Sequence, residues 1–377
     1  MKKLIYLDNA ATTKTSEEVV AAMLPYFTEY YGNPSSVYEF ASESKKAVSN
    51  ARRTIAETLG AQENEIYFTA GGSEADNWAL KATAEAYQSK GKHIITTKIE
   101  HHAILHTAEY LEKRGFEITY IGVDENGVVK VDELEKAIRP DTILISVMFA
   151  NNEIGTIQPI KEIGEIAKKH GVLFHTDAVQ AYGQLPINVD ELHIDMLSSS
   201  GHKLNGPKGI GFLYVRKGTS ISPYVDGGAQ ELGMRGGTEN VASIVGMATA
   251  LKKNCDEMQQ TTNRLYILER NFIDTLCATG VDFIRNGAEN RAPGNINISI
   301  RGASGEMLLH RLDLKGISIS TGSACDSVKT QVSHVIKAIG VPQEYAEGTI
   351  RVSFGRDNNV EDASEVAKAI ISVISLK

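Results

Sequence analysis

From Ile66 to Val215 the chain alternates short strand-like runs with helix-like stretches, and this alternation limits its possible folds more than any other feature. Residues 66–69, 93–97, 116–121, 142–149 and 172–175 are short, apolar and rich in β-branched side chains, as strands require. Residues 73–89, 103–113, 131–138 and 160–170 carry apolar side chains at helical spacing. A strand followed by a helix followed by a strand pairs in parallel, because only a long crossover returns the chain to the same edge. The helices then cover both faces of the sheet. The expected class is α/β with a mostly parallel sheet.

Beyond Thr238 the texture changes. One long helical stretch, 241–277, leads to separated strands at 295–301, 317–320 and 349–354. Helices at 305–314, 333–339 and from Val360 lie among and after them. Fewer strands, spaced further apart, suggest a smaller α+β domain. A chain of 377 residues exceeds the usual single-domain size. The expected division is a large domain over residues 16–255 and a small one built from residues 1–15 and 256–377.

The net charge of −8, with no long Lys/Arg run, argues against a nucleic-acid surface. Between the two lysines at positions 2 and 3 and Asp8 there are only four apolar residues, Leu4 to Leu7, too short a run for a signal-peptide core, and no apolar run spans a bilayer. A cytoplasmic location is expected. Cys255, Cys277 and Cys325 cannot all pair with one another and form no Cys-x-x-Cys spacing, which disfavours a disulfide framework and a structural zinc site; no metal is expected.

Ser198-Ser199-Ser200-Gly201-His202-Lys203 lies between two strand-like runs. Its amine can form an imine with an aldehyde, and its hydroxyls and imidazole can bond a phosphate. Pyridoxal phosphate carries both groups. The alternative is a surface lysine after a polar turn. Thr69-Ala70-Gly71-Gly72-Ser73 runs from a strand through paired glycines into a helix. That pattern suits either an anion at the helix N-terminus or a plain strand–turn–helix with Ser73 as cap.

Glu100-His101-His102 and Asn151-Asn152 each follow a strand, at the sheet edge where open α/β sheets bind ligands. His101 is alternatively a histidine satisfied in a helix's first turn. Asp177, just past the 172–175 strand, must be paired, exposed or kept for chemistry. In a pyridoxal site it would meet the ring nitrogen, with Gln180 on the phenolic oxygen; otherwise it caps the next helix. Arg235-Gly236-Gly237-Thr238 either closes over a phosphate or is an ordinary loop. Cys325 sits among small polar residues that cannot form a core, which reads as an accessible, reactive thiol. Cys255 and Cys277 read as packing residues. Arg351 is a lone cation in an apolar strand and needs an anion, such as a substrate carboxylate held bidentate.

Together with Tyr6-Leu7-Asp8-Asn9-Ala10-Ala11-Thr12-Thr13, Gly32-Asn33-Pro34-Ser35-Ser36 and Arg351-Val352-Ser353-Phe354-Gly355-Arg356, these motifs resemble the cysteine desulfurases of the NifS/IscS type over nearly the whole length. The resemblance implies the pyridoxal-phosphate-dependent transferase fold of type I, with a large cofactor-binding domain and a small domain carrying the cysteine loop. It implies Lys203 as Schiff-base lysine, and Gly72, Ser73, Ser200, His202 and Thr238 as phosphate-binding positions. His101 would stack on the ring and help move protons. Asp177 and Gln180 would meet the ring nitrogen and phenolate, and Asn152 and Arg351 the substrate carboxylate. Cys325 would carry the persulfide, in a setting that resembles the long-loop group.

Thr238 in this family typically reaches the neighbouring subunit's cofactor, which implies a homodimer. L-cysteine would be the substrate and a sulfur-acceptor protein the partner. Ser73 replaces a common threonine, Tyr38 a frequent histidine and Ala41 a frequent glycine. Asp326 adds a negative charge that raises the neighbouring thiol's pKa. The competing readings are a selenocysteine lyase, a related aminotransferase with no use for Cys325, and a non-catalytic docking subunit that keeps the fold.

Overall fold

The alternation becomes a seven-stranded sheet in the computed structural model, which describes residues 4–322 and 332–375. In chain order the strands are β1 (Ile5–Tyr6), β2 (Ile66–Thr69), β3 (His93–Thr97), β4 (Glu117–Ile121), β5 (Thr142–Ser146), β6 (Leu173–Asp177), β7 (Met196–Ser200), β8 (Gly211–Val215), β9 (Phe283–Asn286), β10 (Asn295–Ile300), β11 (Ile317–Ser318) and β12 (Thr349–Ser353). The large sheet has the order β2-β8-β7-β6-β5-β3-β4. From β7 to β4 all neighbours are parallel. β8 runs antiparallel to both β7 and β2, because residues 201–210 are too few for a crossover helix.

Successive residues of one strand enter opposite cores, as the two-residue strand period demands. Ile94 and Leu144 pack with Trp78, Leu80 and Ile104 on one face. Ile95 and Ile145 pack with Ile55, Phe174 and Leu251 on the other. Both faces are therefore helix-covered, as the continuous apolar strands require.

The short apolar run 192–197 that precedes the serines is only partly a strand, which lies further along. His193 adopts φ +53°, which turns the chain, and the strand begins at Met196. The three serines, Ser198 to Ser200, thus lie inside β7, all three paired with β8 and Ser198 also with the end of β6.

The expected single helix over 241–277 is two, Val241–Asp256 and Met258–Cys277, broken at Glu257 (φ −103°, ψ 5°). The first buries Ile244, Met247 and Leu251 against the large sheet's core. The second buries Leu265, Leu268 and Phe272 in a separate core with Ile296, Ile298, Ile350 and Val352. Two cores facing different ways force the change of direction. That second core covers an antiparallel sheet, β12-β10-β9, and takes in Ile5 and Leu7 from the N-terminal segment, where β1 pairs in parallel with β11. The helix Ser42–Leu59 has no counterpart among the expected elements. Its buried face is largely alanine and serine, which blurs the apolar period.

Candidate active site

The C-terminal ends of β3, β5, β6 and β7 converge on one cavity of about 640 Å³. Gly72, Ser73, His101, Asn152, Asp177, Gln180, Ser200, His202, Lys203 and Arg351 all line it. Residues separated by up to some 280 positions therefore share one wall, which is where an open α/β sheet collects ligand-binding groups. Thr238 is exposed and does not line the cavity. Cys325 lies outside the described residues, as does Asp326.

Lys203 ends a short 3₁₀ turn, Gly201–Lys203, that continues β7 into the cavity. Its ammonium donates to the main-chain carbonyl oxygens of Ala11, at 2.8 Å, and Ala10. Gln180 donates its side-chain amide to the same Ala10 oxygen at 2.9 Å. The N-terminal segment thus supplies the oxygens that aim both side chains.

Asp177 closes β6 and is almost fully buried. Burial pushes its pKa up to about 6, while the Val179 N–H and the Lys203 charge act in the opposite direction. Its Oδ1 accepts from Val179 N at 2.9 Å. A carboxylate so placed needs a cationic or proton-bearing partner in the cavity to be fully ionised.

The anion-binding end is built by the start of the helix Gly72–Tyr87, whose N-cap, Gly71, offers no side chain to its first turn. A Cβ on Gly72 would lie 2.6 Å from Val179 Cγ2, so only glycine lets this backbone lie against Val179. Ser200 stands beside the two glycines. His202 Nδ1 pairs with Thr12 Oγ1 at 3.1 Å. Burial, with the charges of Lys203 and Lys208, lowers the His202 pKa to about 4, so the imidazole is neutral at pH 7.

His101 sits at the helix start and also faces the cavity. It caps the helix His102–Glu112, with Nδ1 accepting from Ala103 N at 3.2 Å, and it lines the cavity. That bond places the neutral ring's proton on Nε2.

Arg351 is 1 % exposed, and its anion turns out to be resident. Nη2 donates to Asp8 Oδ1 at 2.7 Å and Nη1 to the Asn152 carbonyl oxygen at 3.0 Å. Its Nε has no partner among the described residues and remains a buried donor at the cavity wall. Ser320, two residues before Gly322, exchanges both main-chain hydrogen bonds with Arg351. A Cβ on Gly322 would lie 3.7 Å from Ser333 Cβ, so the two sides of the segment containing Cys325 are anchored side by side next to Arg351's strand.

Arg235 already has a carboxylate partner. It pairs with Glu74 in the helix's first turn, with Nε 2.9 Å from Oε1. Cys277 is exposed at a helix end rather than packed, while Cys255 is half-buried against the large core. The sequence reading missed Asp76, which is fully buried and lines the cavity, and Lys208. Asp76 is one helical turn beyond Ser73, a spacing that puts both on one helix face. Lys208 stands in the Gly206-Pro207-Lys208-Gly209 turn.

The profile of the family described as Aminotransferase class-V matches residues 5–366. A protein of Methanosarcina thermophila named Cysteine desulfurase IscS is 53% identical over 372 residues, covering 99% of this chain and 92% of that protein. Among solved structures, one described as a NifS-like protein superposes with a TM-score of 0.94 at 38% identity, covering 100% of both chains. Another, described as SspA in complex with cysteine, gives a TM-score of 0.84 at 37% identity over 94% of this chain and 99% of that one.

Proposed function

We propose, from the premise that this chain belongs to the class-V aminotransferase family, that the 640 Å³ cavity is a pyridoxal-phosphate site working on L-cysteine. The chain is a cysteine desulfurase: it takes sulfur from L-cysteine and leaves L-alanine. The observation that carries the site is the meeting of Lys203 and Asp177 in one cavity, an amine for the cofactor's aldehyde and a buried carboxylate for its ring nitrogen.

The donor set fits the cofactor. Burial outweighs the Lys203 charge at Asp177, and a protonated ring nitrogen would supply a further cationic partner. The uncapped helix start at Gly72, with Ser73, Ser200 and neutral His202, suits a phosphate, and Lys208 adds a cation at that end. His101 presents a flat imidazole to the same space.

When bound, the cofactor supplies an electron sink conjugated to the substrate's nitrogen. Lys203, aimed by the Ala10 and Ala11 carbonyls, takes the proton from the substrate Cα. Asp177, as an anion, would keep the cofactor's ring nitrogen protonated. Arg351, through its Nε, and Asn152 orient the substrate carboxylate. The Cys325 thiolate forms a bond to the substrate sulfur as the Cβ–S bond breaks. That bond's electron pair stays with carbon; Cβ takes up one proton to become the methyl of alanine, and Cα regains the proton that Lys203 removed. His101, protonated on Nε2, serves the proton transfers near the two sulfurs. The persulfide then passes to a thiol of an acceptor protein.

The working unit is a homodimer in this reading. Thr238 is exposed outside its own chain's cavity, where it is free to serve a neighbouring one. Phe27, Tyr31, Val37, Tyr38 and Leu232 are exposed apolar side chains suited to cover by a second copy. The division into a large domain, residues 16–255, and a small one, residues 1–15 with 256–377, is supported by the separate core around Leu265, Phe272, Ile298 and Ile350, while Val335, Ile336 and Ile339 of the second part pack with the large sheet's core. Among the described residues no helix is long and apolar enough to cross a membrane.

The test is an absorbance spectrum of the purified protein before and after L-cysteine, with alanine and sulfane sulfur measured together. A yellow protein whose band changes on mixing, with equal amounts of both products, is expected. Alanine without sulfane sulfur would point instead to an aminotransferase-like lyase.

A further inference from the structure

Behind Asp177 lies a second carboxyl that the reaction as described does not use. Asp76, on the helix Gly72–Tyr87, is 1 % exposed and lines the same cavity. One donor atom from each of Asp76, Asp177 and His101 lies within 4.8 Å of the other two. Asp76 bonds the Ser198 hydroxyl, while its Oδ1 has no hydrogen-bond partner among the described residues.

The other charged or titratable groups that face Asp76 do not neutralise it. On β6, His175 Nε2 is 3.8 Å from Asp76 Oδ1, but burial lowers the His175 pKa to about 3, so this contact is not an ion pair. His175 is instead held by two hydroxyls, Ser146 at 2.9 Å and Ser198 at 3.0 Å. In the loop after β3, Glu100 is another carboxyl, equally buried, and His101 spends its Nδ1 on the Ala103 N–H. The Lys203 charge acts on Asp177 and is not among the causes that shift Asp76. Two carboxyls this close and this dry cannot both ionise.

We propose that Asp76 is a positioning residue that acts through Asp177: the two carboxyls share one negative charge, with Asp76 the proton-bearing member and Asp177 the anion that meets the ring nitrogen. This rests on the cofactor reading of the cavity. Two anions behind the ring would attract a second proton or a stray cation to the same spot. A neutral Asp76 leaves one anion and one proton on the ring nitrogen's side. The direction of both carboxyls agrees, since burial and their mutual repulsion hold Asp76 well above the usual carboxylate range. The Ser198 hydroxyl bonded to Asp76 acts the other way, but it is outweighed by burial and the Asp177 charge.

The test uses the cofactor-free protein, so it does not depend on catalysis or on the cofactor reading being right. Infrared difference spectra at neutral pH should show a protonated-carboxyl carbonyl band that Asp76→Asn removes and Glu100→Gln does not. In Asp177→Asn, the midpoint of that band's titration should move to lower pH by about one unit, a tenfold change in proton affinity. A second measurement reads the cofactor: pyridoxal phosphate titrated into apo-protein should bind at least about tenfold more weakly to Asp76→Ala than to Asp76→Asn, because the neutral amide keeps the partner's shape. Absence of the band in the wild type overturns the proposal, as does a band indifferent to Asp177→Asn. If the band behaves as expected but no variant binds pyridoxal phosphate, the shared charge stands and the cofactor reading falls.

Discussion

Arg351 Nη2 lies 2.7 Å from Asp8 Oδ1, so a guanidinium in the middle of a buried strand is neutralised from the other end of the chain. The pair fastens the N-terminal segment, whose Ala10 and Ala11 carbonyls aim Lys203, to the strand beside the cavity. Asp8→Ala leaves a nearly inaccessible cation with half its anchoring. The expected loss is about 2–3 kcal/mol, below the roughly 3–5 kcal/mol for a fully buried pair because Asp8 keeps some exposure. Urea denaturation measures it. Arg351→Lys keeps the charge but not the fork, and should raise KM for L-cysteine about tenfold. An unchanged KM would remove Arg351 from the substrate site.

Gly72→Ala tests the anion-binding end. The added methyl would sit 2.6 Å from Val179 Cγ2, a branched side chain with little freedom to turn away. A cost of about 1–3 kcal/mol in stability is expected, with weaker binding of pyridoxal phosphate. The double variant Gly72→Ala/Val179→Ala should recover most of both losses. Failure to recover would mean that the glycine serves something other than close approach to Val179.

Cys325→Ala separates the amine from the thiol. The Lys203 and Asp177 machinery is untouched, so the protein should stay yellow and its band should still respond to L-cysteine. Sulfur transfer should fall by at least roughly 10³-fold, as for loss of a covalent nucleophile. Persulfide detected on another residue at an undiminished rate would move the nucleophile assignment away from residue 325.

Local pattern made much of this architecture readable, because the large sheet's strands and helices each bury a face set by their own period. Ile94 and Ile95 show it: neighbours in sequence, they enter opposite cores. Lys203, Asp177 and His101 were legible as chemistry because each follows a strand at the edge where such sheets bind ligands. What stayed hidden was decided by distant parts of the chain. Asp76 reads as a solvated helix position until β6 and β7 close over it. The anion of Arg351 is 343 residues away, with no local sign of the pairing. The break at Glu257 follows from two cores facing different ways, although the residues around it continue a helical pattern.

Glu100 supplies a pH dependence whose sign can be worked out. It is fully buried, accepts from Thr97 Oγ1 at 2.7 Å and from Met148 N, and precedes His101 directly. Burial raises its pKa from 4.5 to about 8, although both of those hydrogen bonds act the other way. Between those two values the folded protein keeps a proton that the unfolded chain has released. Folding there takes up a proton, so this group's contribution to stability is present below pH 4.5 and is lost as pH rises to about 8. Glu100→Gln has no proton to lose. Its stability relative to wild type should therefore climb between those limits, by up to about 1.4 kcal/mol per pH unit, and level off above them. Asp76 and Asp177 titrate in both proteins and largely cancel from the difference. Urea midpoints of the cofactor-free pair at several pH values measure it. A difference that stays flat across that range would show that Glu100 is ionised in the folded protein throughout, held by Thr97 and the Met148 N–H despite its burial.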